Sequence, residues 1–331
     1  MRLAVFSAKK YERELLTAAN ASYGHELVYF DSMLEPETAS LAAGFAAVCV
    51  FVNDLANAQA IGILAGGGTR LIATRSTGFN HIDLNAARDH GIAVVRVVEY
   101  SPYSVAEFTV GLLLALNRKI HRAYNRTRDG NFELEGLMGF DFHGRCVGVI
   151  GTGKIGRVFA AIMRGFGCEI LGYDKFQNPE FTAAGGAYAT LEDTCRRADI
   201  LSLHCPLTPE THHIVNAGTL AAMKPRVLLA NTSRGGLIDT EAAIDALKSG
   251  RLGGLAIDVY EQETELFFHD LSSEVITDDI IQRLVSFPNV IVTGHQAFFT
   301  REAVGTIITT TLESISDFEA NRPLRNQVAA S

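Results

Sequence analysis

The chain has little of what would commit it to a membrane, a secreted scaffold or a nucleic acid. Its longest apolar run, Leu41 to Val52, is interrupted by Gly44 and is about half of the roughly 20 residues that a membrane helix needs. The N-terminal MRLAVFSAKKY has a short apolar core with no small-residue cleavage site behind it, so it reads as a first strand and a cytoplasmic location is expected. Positive charge is not in excess: a formal charge of −8 gives no broad field for phosphate backbones, which argues against nucleic acid as a partner. Five cysteines, Cys49, Cys146, Cys168, Cys195 and Cys205, are odd in number and widely spaced with no CxxC, as expected of free buried thiols. There is no HExxH, and the adjacent His212 and His213 should diverge on either a helix or a strand, so no metal site is expected. Solenoid-period repeats and low-complexity tracts are also missing. The one candidate for a structureless stretch is polar and runs from 264 to 279.

What is present is apolar content of 47% over 331 residues, enough for two cores of ordinary size. Short β-rich runs, LAVFS, HELVYF, AAVCVFV, RLIATRS and IAVVRV, alternate with helical patterns such as KKYERELLTAAN, which implies a mostly parallel sheet. At Ser101-Pro102 the rhythm changes: an N-cap residue and a proline suited to the first turn introduce a long helical run, VAEFTVGLLLALNRKIHRAY. A second series follows with RCVGVIG, EILGYD, DILSLHC, VLLANTS, GGLAIDV and NVIVTGH, enough strands for a full doubly wound domain. After His295 a last helical pattern, REAVGTIITTTLESISDFEA, has no strand partner in that series. The basic run Arg118, Lys119, Arg122, Arg126 and Arg128 extends an amphipathic helix and is read as a solvated or subunit-contact face.

The chemistry concentrates in the second series. Gly151, Gly153 and Gly156 follow an apolar strand and open a helix whose Ile155, Val158, Phe159, Ile162 and Phe166 are expected to form one buried stripe. That context turns a GxGxxG match into a dinucleotide fingerprint, with the pyrophosphate at the helix N-terminus. Asp174 ends the next strand, where a carboxylate accepts from both hydroxyls of the adenine ribose and favours NAD over NADP; the neighbouring Lys175 softens that discrimination. Ligands of open α/β sheets lie beyond the carboxyl ends of the strands, and three such ends deliver Arg234, then Asp258 with an acidic run, then His295. Arg234 offers a rigid two-pronged donor for a carboxylate or keto acid. His295 is suited to giving a proton to a carbonyl oxygen. A carboxylate paired with it would favour the imidazolium. Spacing does not choose among Glu261, Glu263 and Glu265 for that partner.

These stretches together resemble the D-isomer-specific 2-hydroxyacid dehydrogenases over essentially the whole chain. The likeness is carried by MRLAVFSAKKY, RSTGFNHIDL, VVEYSPYSVAEFTVGLLLALNRKIHRAYNRTRDGNF, GVIGTGKIG, SLHCPLTPET, NTSRGGLID, AIDVYEQE and VTGHQAFFT. The resemblance implies two doubly wound parallel-sheet domains. A Rossmann NAD-binding domain, residues 101–296, would be inserted into a flavodoxin-like substrate domain of residues 1–100 and 297–331, which explains the late fingerprint and the orphan last helix. It implies catalytic roles for Arg234, Glu263 and His295, with Glu263 orienting the histidine, and so chooses among the three acids. Cofactor contacts are implied at Lys154, Ile155, Asp174, Cys205, Pro206, Thr232, Ser233 and Asp258 beside the three glycines, and substrate contacts at Ser76, Thr77, Gly78, Tyr100 and Phe299 beside Arg234 and His295. Thr211, another cofactor position, stands where relatives often carry Asn, and RSTGF replaces a more apolar loop. The implied reaction is NAD-dependent reduction of pyruvate to D-lactate by a homo-oligomer, dimer or tetramer. A reductase for a bulkier 2-keto acid and a non-catalytic NADH sensor are the alternatives.

Overall fold

The structure is a computed structural model and describes residues 1–263 and 266–328. Thr264 and Glu265, one of the three candidate acids, lie outside it, as do residues 329–331. The chain divides into two compact units, Met1–Ser101 with Phe299–Ser331, and Pro102–Phe298.

In the first unit β1 (Arg2–Val5), α1 (Lys10–Asn20), β2 (Glu26–Tyr29), β3 (Ala47–Val50), α2 (Ala58–Gly66), β4 (Leu71–Thr74), α3 (Leu84–Asp89) and β5 (Ala93–Val95) follow one another. Their parallel sheet runs β5-β4-β3-β1-β2. Fully buried Phe6, Val48, Val50, Ile61, Leu64 and Ile72 belong to one core.

The second unit begins with α4 (Pro102–Arg118) and α5 (Ile120–Arg128). The expected single long helix is broken between them, because Lys119 takes a left-handed conformation with φ 50° that no helix continues through. Then come β6 (Cys146–Ile150), α6 (Lys154–Gly165), β7 (Glu169–Tyr173), α7 (Pro179–Ala183), β8 (Ala187–Tyr188), α8 (Leu191–Arg197), β9 (Ile200–Leu203), α9 (Ala217–Ala222), β10 (Val227–Asn231), α10 (Thr240–Lys248), β11 (Leu252–Ile257), α11 (Asp279–Ser286) and β12 (Val290–Val292). The sheet is parallel throughout, in the order β12-β11-β10-β9-β6-β7-β8. Successive residues alternate between two cores: Val147 and Val149 face one with Phe159 and Met163, whereas Ile150, Leu229 and Leu255 face the other. A sheet covered on both faces needs the near-continuous apolar runs seen in the sequence.

The last helix, α12 (Arg301–Glu319), packs on α1 and β4 of the first unit, and β13 (Gln327–Val328) then pairs antiparallel with β5. Neither β8 nor β13 is long enough to carry a sequence signal. Along α6 the buried positions are Gly156, Phe159, Ala160 and Met163, with Ile155, Val158 and Ile162 packed at the margin. Phe166 is 38% exposed and falls outside the expected stripe, because α6 ends at Gly165 and the helical period no longer applies. All five cysteines are free and buried.

One buried ion pair organises the end of β4 in the first unit. Arg75, with no exposed surface, donates from Nε to Glu12 Oε1 at 3.1 Å and from Nη2 to the Phe6 carbonyl at 3.0 Å. Glu12 Oε2 in turn accepts from the Lys9 amide at 3.1 Å. Arg75→Met leaves the Glu12 carboxylate buried without its cation and should cost about 3–5 kcal/mol in urea unfolding followed by circular dichroism. Adding Glu12→Gln should recover part of that loss, and an additive double variant would refute the coupling.

Candidate active site

The glycine turn between β6 and α6 is built by steric necessity. A side chain on Gly151, at φ 94°, would come within 2.4 Å of the Cys205 amide, and one on Gly156 would lie 2.0 Å from the Gly151 carbonyl. A Cβ on Gly153 would meet nothing within 4 Å, so the backbone there borders open space at the start of the helix. A turn of bare backbone at a helix N-terminus fits a pyrophosphate. Asp174, just past β7, accepts through Oδ2 from the Thr152 amide at 2.6 Å and through Oδ1 from the Phe176 amide at 3.0 Å. Its carboxylate is thereby fixed beside the glycine turn.

Other predicted cofactor positions gather at the neighbouring strand ends. Ser233, after β10, donates from Oγ to the Cys205 carbonyl, after β9, at 2.7 Å, and Thr232 shares a 2.7 Å hydroxyl contact with Thr109 of α4. Burial pushes the Cys205 thiol up to about 11, which suits a packing and backbone role and no thiol chemistry. Pro206 is exposed and Lys154 is exposed at the turn, whereas Ile155 packs partly against the core. The Thr211 hydroxyl is spent on its own loop, donating to the Pro206 carbonyl at 2.7 Å and accepting from the Thr208 amide at 2.8 Å.

Beyond β10, β11 and β12, which are adjacent in the sheet, stand Arg234, Glu263 and His295. His295 Nδ1 lies 2.9 Å from Glu263 Oε1, and Glu263 Oε2 accepts from the Tyr260 amide at 3.0 Å. With Nδ1 committed to the carboxylate, Nε2 is the ring nitrogen left for other work. Arg234 Nη1 donates to the Ser233 carbonyl at 2.6 Å, and a side chain on the following Gly235 would lie 2.1 Å from the Tyr260 backbone. Only glycine lets the Arg234 and Tyr260 segments approach so closely.

Asp258, expected as a cofactor contact, also ties the segment that follows β12. It has no exposed surface: Oδ1 accepts from Thr293 Oγ1 at 2.5 Å and the Gln296 amide at 2.9 Å, and Oδ2 from the Ala297 amide at 2.7 Å. Its carbonyl accepts from the His295 amide at 2.8 Å. This residue holds the loop that holds His295, whose φ of 53° is uncommon outside glycine. Burial pushes the Asp258 carboxyl up, against the hydrogen bonds that favour its charge.

In the first unit, Ser76 is buried and its hydroxyl donates to the Gly78 carbonyl at 2.6 Å, so this side chain shapes the loop. The Thr77 carbonyl accepts from Arg96 at 3.0 Å, and Thr77, Gly78 and Tyr100 are partly exposed. Phe299 is 52% exposed and meets the Tyr11 ring edge-on at 4.7 Å between centroids. Sequence reasoning assigned Tyr11 no role although it closes the quoted N-terminal motif. Burial, with the adjacent Glu12 carboxylate, pushes its hydroxyl up and keeps it a donor.

The expectation that His212 and His213 diverge fails. His213 takes φ 51°, neither helix nor strand, and the two rings stack with centroids 3.9 Å apart.

Comparison with known proteins bears on this geometry. Residues 110–297 match the family model described as D-isomer specific 2-hydroxyacid dehydrogenase, NAD binding domain. The chain is 53% identical over 319 residues to the 2-hydroxyacid dehydrogenase homolog 1 of Schizosaccharomyces pombe, covering 96% of each. It is 47% identical over 328 residues to a D-lactate dehydrogenase of Escherichia coli, covering 99% of this chain and 100% of that one. The apo structure of D-lactate dehydrogenase from Escherichia coli superposes with a TM-score of 0.92 at 45% identity, over 99% of this chain and 100% of the other.

His204 links the nucleotide turn to pH. Its amide donates to the Ile150 carbonyl at 2.7 Å, its Nε2 lies 2.9 Å from Ser202 Oγ, and its ring is 4.9 Å from that of Phe159. Burial pushes its pKa from 6.5 down to about 3. Below pH about 6.5 the unfolded chain binds a proton that the native one does not, so stability falls with pH until the folded value is reached. The loss expected at pH 5 is on the order of 2 kcal/mol. His204→Gln should flatten this part of the stability–pH curve measured by urea unfolding; an unchanged slope would remove His204 as its source.

Proposed function

Since the chain belongs to the D-isomer-specific 2-hydroxyacid dehydrogenases, a family of NAD-dependent oxidoreductases, we propose that its own reaction is the reversible reduction of pyruvate to D-lactate. The observation that carries the reading is the 2.9 Å contact of His295 with Glu263, at a strand end next but one to that of Arg234 and in the same sheet as the glycine turn. The choice of pyruvate is supported by the likeness to the Escherichia coli D-lactate dehydrogenase along nearly the full length of both chains.

When bound, NADH would supply the hydride that the keto carbon accepts. Gly151, Gly153 and Gly156 would admit the pyrophosphate, Asp174 would take the adenine ribose, and the Cys205–Pro206 and Thr232–Ser233 strand ends would hold the remainder through backbone and hydroxyl groups. Arg234 polarises the keto oxygen and stabilises the charge that develops there. His295 gives that oxygen a proton from Nε2, while Glu263 keeps Nδ1 occupied and the ring in one orientation. Asp258 positions His295 through the loop it ties.

The exposed Tyr103, Ile120, Tyr124, Phe132, Leu134 and Met138, on and after α4 and α5, are more apolar surface than a solvated face needs and support a symmetric homo-oligomer. Light scattering on the eluted protein should give at least twice the 35.8 kDa chain mass. A monomer would oppose the assignment of this face.

His295→Ala should lower turnover about 100-fold to 10,000-fold, the range of a general acid. NADH binding should be unaffected, and near-normal turnover would rule His295 out. The reaction itself is tested by NADH oxidation across pyruvate, 2-ketobutyrate, 2-ketoisocaproate, phenylpyruvate and glyoxylate with chiral analysis of the product. Pyruvate should be the best substrate and D-lactate the product. A larger preferred acid would replace the substrate, and NADH binding without turnover on any of them would replace the reaction with sensing.

A further inference from the structure

A cluster outside the machinery above lies between the segment that follows β9 and the turn that follows β11. His213 Nε2 and Glu261 Oε1 are 2.7 Å apart, and one ligating atom each from His212, His213 and Glu261 all lie within 4.8 Å of one another. Each member is held from behind. The Glu261 Oε2 oxygen accepts from Thr240 Oγ1 at 2.5 Å and the Thr240 amide at 3.2 Å, which aims Oε1 at the histidines. The His213 amide donates to the Gly236 carbonyl at 2.8 Å, and its own carbonyl accepts from Asn216 Nδ2 at 2.9 Å. The His212 amide donates to the Thr208 carbonyl at 2.9 Å. A structural ion pair would account for His213 and Glu261. It leaves unexplained why a second, exposed imidazole is stacked on the first with one of its nitrogens within 4.8 Å of the ligating atoms of His213 and Glu261.

We propose that His212, His213 and Glu261 form a binding site for a divalent cation of the zinc class. Two imidazoles and one carboxylate suit Zn²⁺, Co²⁺ or Ni²⁺ and offer too few oxygens for Mg²⁺ or Ca²⁺. Tetrahedral coordination at about 2.0–2.1 Å sets ligand atoms roughly 3.3–3.4 Å apart. The Glu261–His213 pair must therefore open slightly and the His212 nitrogen must close in. His212 can do so, since its residue is exposed and, among the described residues, its ring stacks on His213 without a side-chain hydrogen bond. Three protein ligands leave the fourth position to water. Thr240, which donates twice to the Glu261 carboxylate, supplies the outer-sphere support that such sites use.

The site has a functional consequence that rests on the proposed reaction. Glu261 lies two residues before Glu263, and the Tyr260 amide between them and β11 is the donor that fixes Glu263. A cation drawing Glu261 toward the histidines pulls on the turn that presents Glu263 to His295. Occupancy should slow turnover.

The test titrates the purified full chain with Co²⁺ alone and follows its visible d–d absorption, with Zn²⁺ competition to displace it. One ion per chain with nitrogen-ligand bands is expected. His212→Ala, which removes no hydrogen bond, should weaken binding by at least the roughly 10-fold that loss of an outer-sphere partner costs, and so should Glu261→Gln. No bands, or equal binding by wild type and His212→Ala, would overturn the site. In the NADH assay Zn²⁺ should inhibit the wild type, while His212→Ala keeps its basal rate and resists inhibition. Binding without inhibition would retain the site and overturn its coupling to Glu263. A chain that turns over no keto acid but still yields the Co²⁺ bands would overturn the proposed reaction and leave the site standing.

Discussion

The buried carboxylate of Asp258 is the constraint on which the candidate site depends. Three donors from the segment 293–297 converge on it, and its own carbonyl takes the His295 amide. An unpaired buried carboxylate is costly, so these bonds cannot be given up without a large loss, and the loop has no cheaper arrangement. The left-handed backbone at His295 persists because this network over-determines it. From there the order passes outward: His295 to Glu263, Glu263 to the Tyr260 amide, and Tyr260 to the glycine that follows Arg234.

The parallel sheet supplies the frame for that network. Every strand of the second unit runs the same way, so all strand ends of one polarity share an edge. Residues separated by dozens of positions thereby become neighbours, as Cys205 and Ser233 do through one hydrogen bond. At the same edge the glycine turn is dense on one side and open on the other. Gly151 and Gly156 are required by the protein's own backbone, whereas Gly153 borders space. The three glycines of one fingerprint thus answer to two demands, packing and access.

Much of this was legible in the chain. All the strands long enough to show an apolar run were readable, since a sheet buried on both faces cannot be built from anything else. The two-residue strands β8 and β13 were not, because pairing at a sheet edge needs almost no side-chain signal. The break at Lys119 was hidden for a related reason: the apolar and basic pattern continues across it, and a single left-handed residue leaves no mark on periodicity. Candidate acids were narrowed by resemblance, and spacing alone could not have separated Glu261 from Glu263. Their partners differ completely, the one facing His213 and Thr240, the other His295.

The sequence by itself determined the two βα series, the nucleotide turn and the family, because apolar periodicity and glycine sterics are local properties that a chain displays in order. Tertiary structure alone decided which carboxylate meets which imidazole, that Asp258 is a buried tie, and that His212 and His213 share one face. Those outcomes depend on where three strand ends bring their loops and on single φ angles within them. Hydrogen bonds of about 3 Å resolve differences that residue spacing cannot express.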